Sequence, residues 1–298
     1  MTSFEIEAGD YKLICKIGEN GAVVTDIRGN GSVLDIPKEI ICKDKPYFIC
    51  EIAKKAALVC KTLRDVRIPE TVTKIGDWAF AQCGQLECVS IPADILLGVG
   101  VFEGCQHLYR IRIQGKDEDT LPRLLACCVT EFQAEDLIGD NGAGQDDWYE
   151  KWDQRLLSFL QEADEEGYQT MVLCGEEDIR KDIPQYVMER KMDKCDLCMT
   201  RLFHKKGLSE DMENQITEYI LRHIKGCEQE AAWELMKGRY GNHLEYYELL
   251  ADIGGITKDN IEAMIEDLDE KHAEAKAYLI QYKQGHFGVE DVFAGFEL

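Results

Sequence analysis

A repeat of 22 or 23 residues constrains the fold of this chain more than any other feature of its sequence. Its two clearest copies are residues 71–92 and 93–114, and a weaker copy precedes them. A unit of this length cannot bury its own apolar face, so it has to stack on its neighbours. The repeat therefore predicts a solenoid, a fold that more often presents a binding surface than an active site. Equivalent residues in the two clear copies are Phe80 and Phe102, Cys83 and Cys105, Leu86 and Leu108, Val89 and Ile111, and Ile91 and Ile113.

Each copy contains a short strand, a turn and an irregular return. In residues 86–92, Val89 and Ile91 alternate toward one face, and Pro92 ends the strand because it has no N–H to donate. Gly76 permits a tight turn, and Phe80 is expected to fill the interior. The repeats therefore predict a stack of short strands whose inward side chains form the core.

The pattern from Ile68 to Leu86 reads Ile-Pro-x-x-Val-x-x-Ile-Gly-x-x-Ala-Phe-x-x-Cys-x-x-Leu. It resembles a leucine-rich repeat of the BspA-like type, and the resemblance extends over about residues 32–114. The resemblance implies a right-handed β-solenoid with short parallel strands. Many members of that family are secreted or surface proteins that bind other proteins, so the resemblance also implies protein binding. Ahead of the repeats, residues 4–36 alternate like strands separated by glycine-containing turns, which predicts a hairpin covering the open end of the solenoid.

Charge divides the chain near residue 115, where the repeats end. Residues 1–115 carry 15 acidic and 14 basic groups, whereas the rest carries 42 acidic and 20 basic groups, which accounts for nearly all of the net charge of −23. An acidic half of this kind repels nucleic acid and anionic membranes. It favours basic partners, or it serves only to keep the chain soluble. We therefore expect neither a nucleic-acid partner nor a membrane partner.

The sequence becomes helical from Leu121 onward. Trp148 and Trp152 begin a series of large apolar residues four apart, which lie on one helix face. Gly207 starts a short pattern of glycine, an apolar residue and Ser, and Gly255 starts a similar pattern with Thr, 48 residues later. Such a pattern ends one helix and caps the next, so it predicts helical hairpins.

The predicted fold class is α+β, with a short leucine-rich-repeat β-solenoid followed by an all-α domain. Residues 1–115 are predicted to form a β-rich cap and the repeats, and residues 116–145 a helical connection with a linker at 140–144. Residues 146–298 are predicted to form an acidic domain of helical hairpins, either ankyrin-like or an α-solenoid. No family is assigned to this helical part.

Cysteine usage favours a reducing compartment. The chain has 13 cysteines, an odd number, and most lie on apolar faces where a reduced thiol acts as a small hydrophobic group. Residues 1–10 contain three acidic residues and no basic one, unlike a secretory signal. We therefore predict a cytoplasmic protein with free thiols; the alternative is a secreted or surface adhesion protein that lacks its leader. Along the solenoid, a row of buried thiols is predicted from Cys60, Cys83 and Cys105.

One group of residues suggests a rival function, metal binding or thiol redox chemistry. Cys195 and Cys198 form a C-x-x-C pair, and His223 and Cys227 form an H-x-x-x-C pair. Such pairs can bind zinc, but the turn near Gly207 lies ~14 Å along the helix from Cys198 and ~27 Å from Cys227, at ~1.5 Å per residue. We therefore expect packed cysteines, with no zinc and no other cofactor. The six histidines share no motif with a Ser or Cys nucleophile, so no enzymatic activity is predicted.

The outward positions of the repeat strands are the remaining candidates for recognition. Arg67, Arg110 and Arg112 occupy such positions, and Tyr109 lies beside them in the sequence. Arginines on an exposed sheet suit an acidic partner, or the protein's own acidic helices. The predicted function is therefore non-catalytic protein–protein interaction. Neither the identity of the protein partner nor the oligomeric state follows from the sequence.

Overall fold

A computed structural model of the chain describes residues 3–115, 121–138, 142–165, 168, 182–226 and 229–288. The chain divides into two compact units, residues 1–155 and residues 156–298. The first unit contains the repeats, and the second is helical. None of the helices in the described residues is both long and apolar enough to cross a bilayer.

The first unit begins with strands and ends with helices. In the described residues of this unit the helices are α1 (Leu121–Thr130) and α2 (Asp146–Gln161), and a 3₁₀ turn, Glu135–Leu137, lies between them. The unit boundary falls inside α2. The strands are β1 (Ser3–Ala8), β2 (Tyr11–Ile17), β3 (Ala22–Gly29), β4 (Val33–Asp35), β5 (Glu39–Cys42), β6 (Lys45–Ile52), β7 (Asp65–Arg67), β8 (Lys74–Ile75), β9 (Cys88–Ile91), β10 (Leu96–Leu97) and β11 (Arg110–Ile113).

The strands form two sheets of a β-solenoid, which confirms the predicted class of the repeat region. One sheet has four parallel strands in the order β11-β9-β7-β4, one from each successive turn. The other sheet has the strand order β1-β2-β3-β6-β8-β10; its first strands pair antiparallel, and the strands from β3 onward pair parallel. Arg110 pairs with Cys88, and Cys88 with Asp65, so the register of the sheet reproduces the sequence repeat.

The first turn is longer because it contains an inserted hairpin. Asp65 pairs with Val33, and the number of residues between them in the sequence is well above the repeat period. The extra length is the antiparallel pair β5–β6, in which Ile40 lies opposite Tyr47. This insertion explains why the repeat pattern is weak before residue 57.

Stacked rings and close backbone contacts form the core of the solenoid. Phe80 and Phe102 are buried, and their rings stack with centroids 6.0 Å apart, which confirms the predicted register. Gly76 and Gly98 occupy the same position in successive turns. A Cβ on Gly76 would lie 2.5 Å from the backbone N of Lys54 in the preceding turn, and Gly98 is equally restricted. These glycines are therefore needed for close stacking and not for an unusual φ.

The N-terminal end of the solenoid is covered by more than the predicted hairpin. The strands β1, β2 and β3 form an antiparallel three-stranded sheet, which joins the solenoid through β3 and β6. Tyr11 is buried there, and its hydroxyl donates a hydrogen bond to the carbonyl of Gly31. The β-rich cap therefore shares one sheet with the repeats.

Helices α1 and α2 extend the first unit beyond the repeats. The helix α1 packs against β11, the last strand. The indole N–H of Trp152 donates to the carbonyl of Leu124 (3.0 Å), and that of Trp148 donates to Leu137 (2.8 Å). Packing thus extends this unit to residue 155, whereas the acidic composition starts after residue 115. The proposed domain bounds, 1–115, 116–145 and 146–298, stay a prediction based on composition; part of the predicted linker, residues 140–141, lies outside the described residues.

The second unit is an assembly of helices. In the described residues its helices are α3 (Ile183–Phe203), α4 (Glu210–Arg222), α5 (Ala231–Arg239), α6 (Leu244–Asp252), α7 (Ile261–Asp267) and α8 (Ala273–His286). A short 3₁₀ turn, Glu270–His272, precedes α8. The helix α3 packs against α4, α5 and α6, and α8 packs against α6 and α7.

Side-chain hydrogen bonds form at both predicted helix-capping sequences, and the first of them caps its helix. Ser209 Oγ accepts a hydrogen bond from the N–H of Met212 (3.2 Å) at the start of α4. Ahead of α7, Thr257 and Asn260 each accept a hydrogen bond from the other's backbone N–H, whereas Asn260, the N-cap residue, makes no side-chain capping bond to the helix itself. The left-handed glycine that follows α6 is Gly254 (φ +79°), one residue before the predicted Gly255.

Candidate binding surface

The four-stranded sheet presents a polar outer face. Its inward residues Leu34, Val66, Val89 and Ile111 are buried, as expected for a strand with one face against the core. The outward residues form two rows across the strands, as the sequence predicted for the last three turns. One row is Val33, Asp65, Cys88 and Arg110, and the other is Asp35, Arg67, Ser90 and Arg112.

Positive charge on this face is concentrated at β11. Arg67 lies near two carboxylates, 3.7 Å from Asp35 and 3.8 Å from Asp65, so most of its charge is balanced. Arg110 and Arg112 are exposed, and within the described residues neither forms an ion pair. Three predicted site residues therefore lie on one sheet, but only two of them leave positive charge available to a partner.

Tyr109 adds an aromatic ring to the same edge. Its side chain is 51% exposed, and the guanidinium carbon of Arg110 lies 5.6 Å from the ring centroid. This distance permits a cation–π contact, which at an exposed site contributes about 0.5–1 kcal/mol. Tyr109, Arg110 and Arg112, the β11 edge, thus combine an apolar ring with two hydrogen-bonding cations.

Cys88 lies outward on this sheet, yet it is only 8% exposed. Burial raises the pKa of its thiol, and the charge of Asp65 adds to this, whereas Arg112, Arg110 and Arg67 lower it. The net direction is upward, so the thiol is mainly protonated at neutral pH and Cys88 is a poor nucleophile. The outer face therefore offers hydrogen bonds and charge, but no activated group.

The predicted thiol row lies in the solenoid. The Sγ atom of Cys83 donates to the carbonyl of Ala57, and that of Cys105 donates to the carbonyl of Phe80, both over 3.2 Å. Each thiol thus satisfies a backbone carbonyl of the preceding turn. Cys60 is partly exposed and contacts the hydroxyl of Tyr11 (3.7 Å). The row has a structural role in stacking.

We predict that all the thiols are free, since the 11 cysteines in the described residues form no disulfide. A thiol titration in denaturant without reductant should find nearly 13 reactive groups per chain, the full cysteine content. The same titration after reduction serves as the control and should give the same number. A count near one, with the remainder appearing only after reduction, would contradict the prediction of a reducing compartment.

The four candidate zinc ligands are not assembled as a site in the described residues. Cys195 and Cys198 are fully buried in α3, and burial raises the pKa of both thiols. His223 follows α4, where its ring stacks on Tyr219 and its Nδ1 lies 2.8 Å from the Tyr219 carbonyl. Cys227 lies outside the described residues. Among the residues that the structure describes, no group of three or more His, Cys, Asp or Glu is placed to hold a metal ion.

Comparison with known proteins finds a family whose model matches the repeat region. Residues 45–130 match the BspA type leucine rich repeat region in six copies, which confirms the resemblance seen from residue 68. The matched range begins later than predicted and extends through α1. The helical part that follows has no family match, and no curated protein matches the chain.

Several solved structures of leucine-rich repeat proteins are similar to part of the chain. One is a leucine rich cell surface protein from Faecalibacterium prausnitzii (25% identity, 38% of this chain, 32% of that chain, TM-score 0.33). A leucine-rich repeat protein from Bacteroides ovatus is 22% identical over 37% of this chain and 37% of that chain, with a TM-score of 0.30. A leucine-rich repeat protein from Bacteroides capillosus is 20% identical over 37% of this chain and 99% of that chain, also with a TM-score of 0.30. The chain spans about a third of the length of the first two.

Proposed function

We propose that this chain is a non-catalytic binding protein whose solenoid holds an acidic segment of a protein partner at the β11 edge. The observation that supports this most directly is the pair of exposed guanidinium groups, Arg110 and Arg112, which no described carboxylate neutralises. The parallel sheet fixes their spacing, because both extend from the same strand two residues apart.

The chemistry of this edge suits carboxylates. A guanidinium group presents a planar fork of N–H donors that binds a carboxylate through two hydrogen bonds. Tyr109 supplies apolar contact area beside the two cations, and arginine and tyrosine are both enriched among residues that dominate protein interfaces. Arg67 belongs to the same surface, but a partner has to displace Asp35 or Asp65 to bind it. We therefore assign Arg67 a secondary contribution.

A charge-reversal experiment tests this site. The change is Arg67→Glu with Arg110→Glu and Arg112→Glu, and the control is Lys16→Glu with Lys45→Glu and Lys61→Glu, three exposed lysines of the same unit. We expect the site variant to bind a partner purified from native extract at least about tenfold more weakly, mainly through slower association. The difference should shrink with added salt, since exposed charges are screened over ~8 Å at physiological ionic strength.

The control separates the site from the general charge of the chain, because both variants change the net charge equally. Hydrogen exchange in the complex should show protection of residues 107–113. If the site variant keeps its fold and binds as tightly as the control, the strand face is not the binding site, and the acidic helical half becomes the surface to test.

A cytoplasmic location stays part of the proposal, and a surface adhesion protein stays the alternative. The reduced thiols expected above support the first. Treatment of intact source cells with a protease that cannot enter them would distinguish the two, because a cytoplasmic chain is protected until the cells are opened.

A further inference from the structure

A groove lies between α6 and α8 in the second unit. Its volume is about 720 Å³, within the range of roughly 300–1,000 Å³ that is typical of ligand sites. One side is open at Gly285, where an added Cβ would meet no atom within 4 Å. The residues that matter for its chemistry are Glu248 and Asp252 from α6, and Tyr278, Tyr282, Gly285 and His286 from α8.

The α8 wall is aromatic. Tyr278, Tyr282 and His286 recur every four residues, so they lie on one face of the helix. The rings of Tyr282 and His286 stack with centroids 4.0 Å apart, and those of Tyr278 and Tyr282 lie 6.1 Å apart. Tyr247 is buried behind them, 6.4 Å from Tyr278, and supports the wall. Because the rings stack on one another along the helix, this wall offers apolar contact area for the carbon chain of a long side chain.

The α6 wall is acidic. Glu248 and Asp252 are exposed, one helical turn apart, and neither forms an ion pair within the described residues. Burial first, and then the charge of Glu248, raises the pKa of the Tyr278 hydroxyl, with smaller contributions from Tyr282 and Asp252. The negative charges of both carboxylates therefore extend into the groove. The nearby cation Lys283 is already paired with Glu262 of α7.

Asp252 occupies an unfavourable position unless a cation is bound. It is the last residue of α6, and the last turn of that helix contains no basic residue. A carboxylate at a helix C-terminus is repelled by the negative end of the helix dipole. Such a local conflict between charge and helix direction is expected where a residue serves a function.

We propose that this groove binds a basic segment of a protein partner by enclosing an arginine side chain between the tyrosine rings and the two carboxylates. The carbon chain of an arginine packs against tyrosine rings, and at the same time its guanidinium group donates paired hydrogen bonds to a carboxylate. Charge complementarity identifies the occupant, since residues 116–298 carry 42 acidic and 20 basic groups. The site is independent of the β11 edge, which binds the opposite charge.

Fluorescence anisotropy of the full chain with a labelled nine-residue peptide containing three arginines tests the proposal. The same peptide with citrulline in place of arginine is the neutral control. We expect measurable binding of the arginine peptide at 0.15 M salt and at least about tenfold weaker binding of the citrulline peptide, because citrulline lacks the positive charge.

Two variants locate the binding. Glu248→Gln with Asp252→Asn should weaken it about tenfold, whereas Glu266→Gln with Asp259→Asn removes the same charge from exposed residues elsewhere in the unit and should change it less than twofold. Gly285→Leu should also reduce binding about tenfold, because the side chain enters the groove. Leucine favours a helix more than glycine does, so this variant should retain its fold.

Several outcomes would overturn the proposal. Equal losses from the two carboxylate pairs would show general attraction between a basic peptide and an acidic chain. Unchanged binding by folded Gly285→Leu would place the peptide elsewhere. Tighter binding of a peptide copying residues 289–298, which contain three acidic residues and no basic one, would assign the groove to the end of the chain itself.

Discussion

Replacing Phe80 with alanine is expected to destabilise the first unit by about 3–5 kcal/mol, the usual cost of removing a buried aromatic side chain. Phe80 is fully buried, and its ring stacks on Phe102 of the next turn. Its loss therefore leaves a cavity between two turns that depend on each other for their core. Because the backbone of each turn is held by hydrogen bonds to the next, such as Phe80 N–H to the Val101 carbonyl (3.0 Å), the structure cannot easily collapse to fill the space.

Denaturant unfolding followed by far-ultraviolet circular dichroism measures this cost, and hydrogen exchange assigns it to the strands between residues 65 and 113. The matched control is Leu96→Ala in β10, where the side chain is 67% exposed. We expect the control to lose less than about 0.5 kcal/mol. A loss below about 1 kcal/mol for Phe80→Ala would mean that the side chain is not part of a closely packed core and that the repeat register is wrong.

The repeat half of the fold follows from the sequence because its signals are local and periodic. A solenoid turn contacts its neighbours at a constant separation, so equivalent residues such as Phe80 and Phe102 reveal their contact directly. The β5–β6 hairpin breaks this period, and for that reason the sequence pattern did not show how the first turn is built. Likewise, the spacing of Gly76 predicts a close turn, but the backbone N of Lys54 that makes glycine necessary is visible only in the structure.

The candidate sites were predictable only in part. Alternation within β11 correctly places Arg110 and Arg112 outward, because side chains along a strand alternate by geometry. The balance of charge at Arg67 depends on Asp35 of the neighbouring strand β4, which is 32 residues earlier in the chain, outside the repeat period, so sequence spacing alone does not show it. The α6–α8 groove joins Glu248 to Tyr278 across two helix connections. No short sequence motif therefore contains the residues of both walls.

Replacing Trp233 with alanine is expected to destabilise the second unit by about 3–5 kcal/mol. The side chain is fully buried in α5, with its ring edge-on to Tyr247, and its indole N–H donates to Asp267 Oδ2 (2.7 Å). Alanine leaves a cavity among the helices and also removes one of the hydrogen-bond donors to the Asp267 carboxylate. Denaturant unfolding followed by circular dichroism measures the cost, and hydrogen exchange should show it in residues 231–286.

The variant Trp233→Phe separates the two contributions. It keeps an aromatic ring but loses the indole N–H, while Asp267 retains its ion pair with Lys237 (2.5 Å). The Lys237 ammonium, and to a lesser extent the Trp233 N–H, lowers the pKa of Asp267, so the carboxylate stays charged and hydrogen-bonded in the variant. We therefore expect Trp233→Phe to cost about 1–1.5 kcal/mol, near the net value of one hydrogen bond with slight underpacking. Equal losses for the two variants would show that the hydrogen bond, and not the packing of the ring, gives Trp233 its importance, and would contradict the expectation that burial of the ring stabilises this unit.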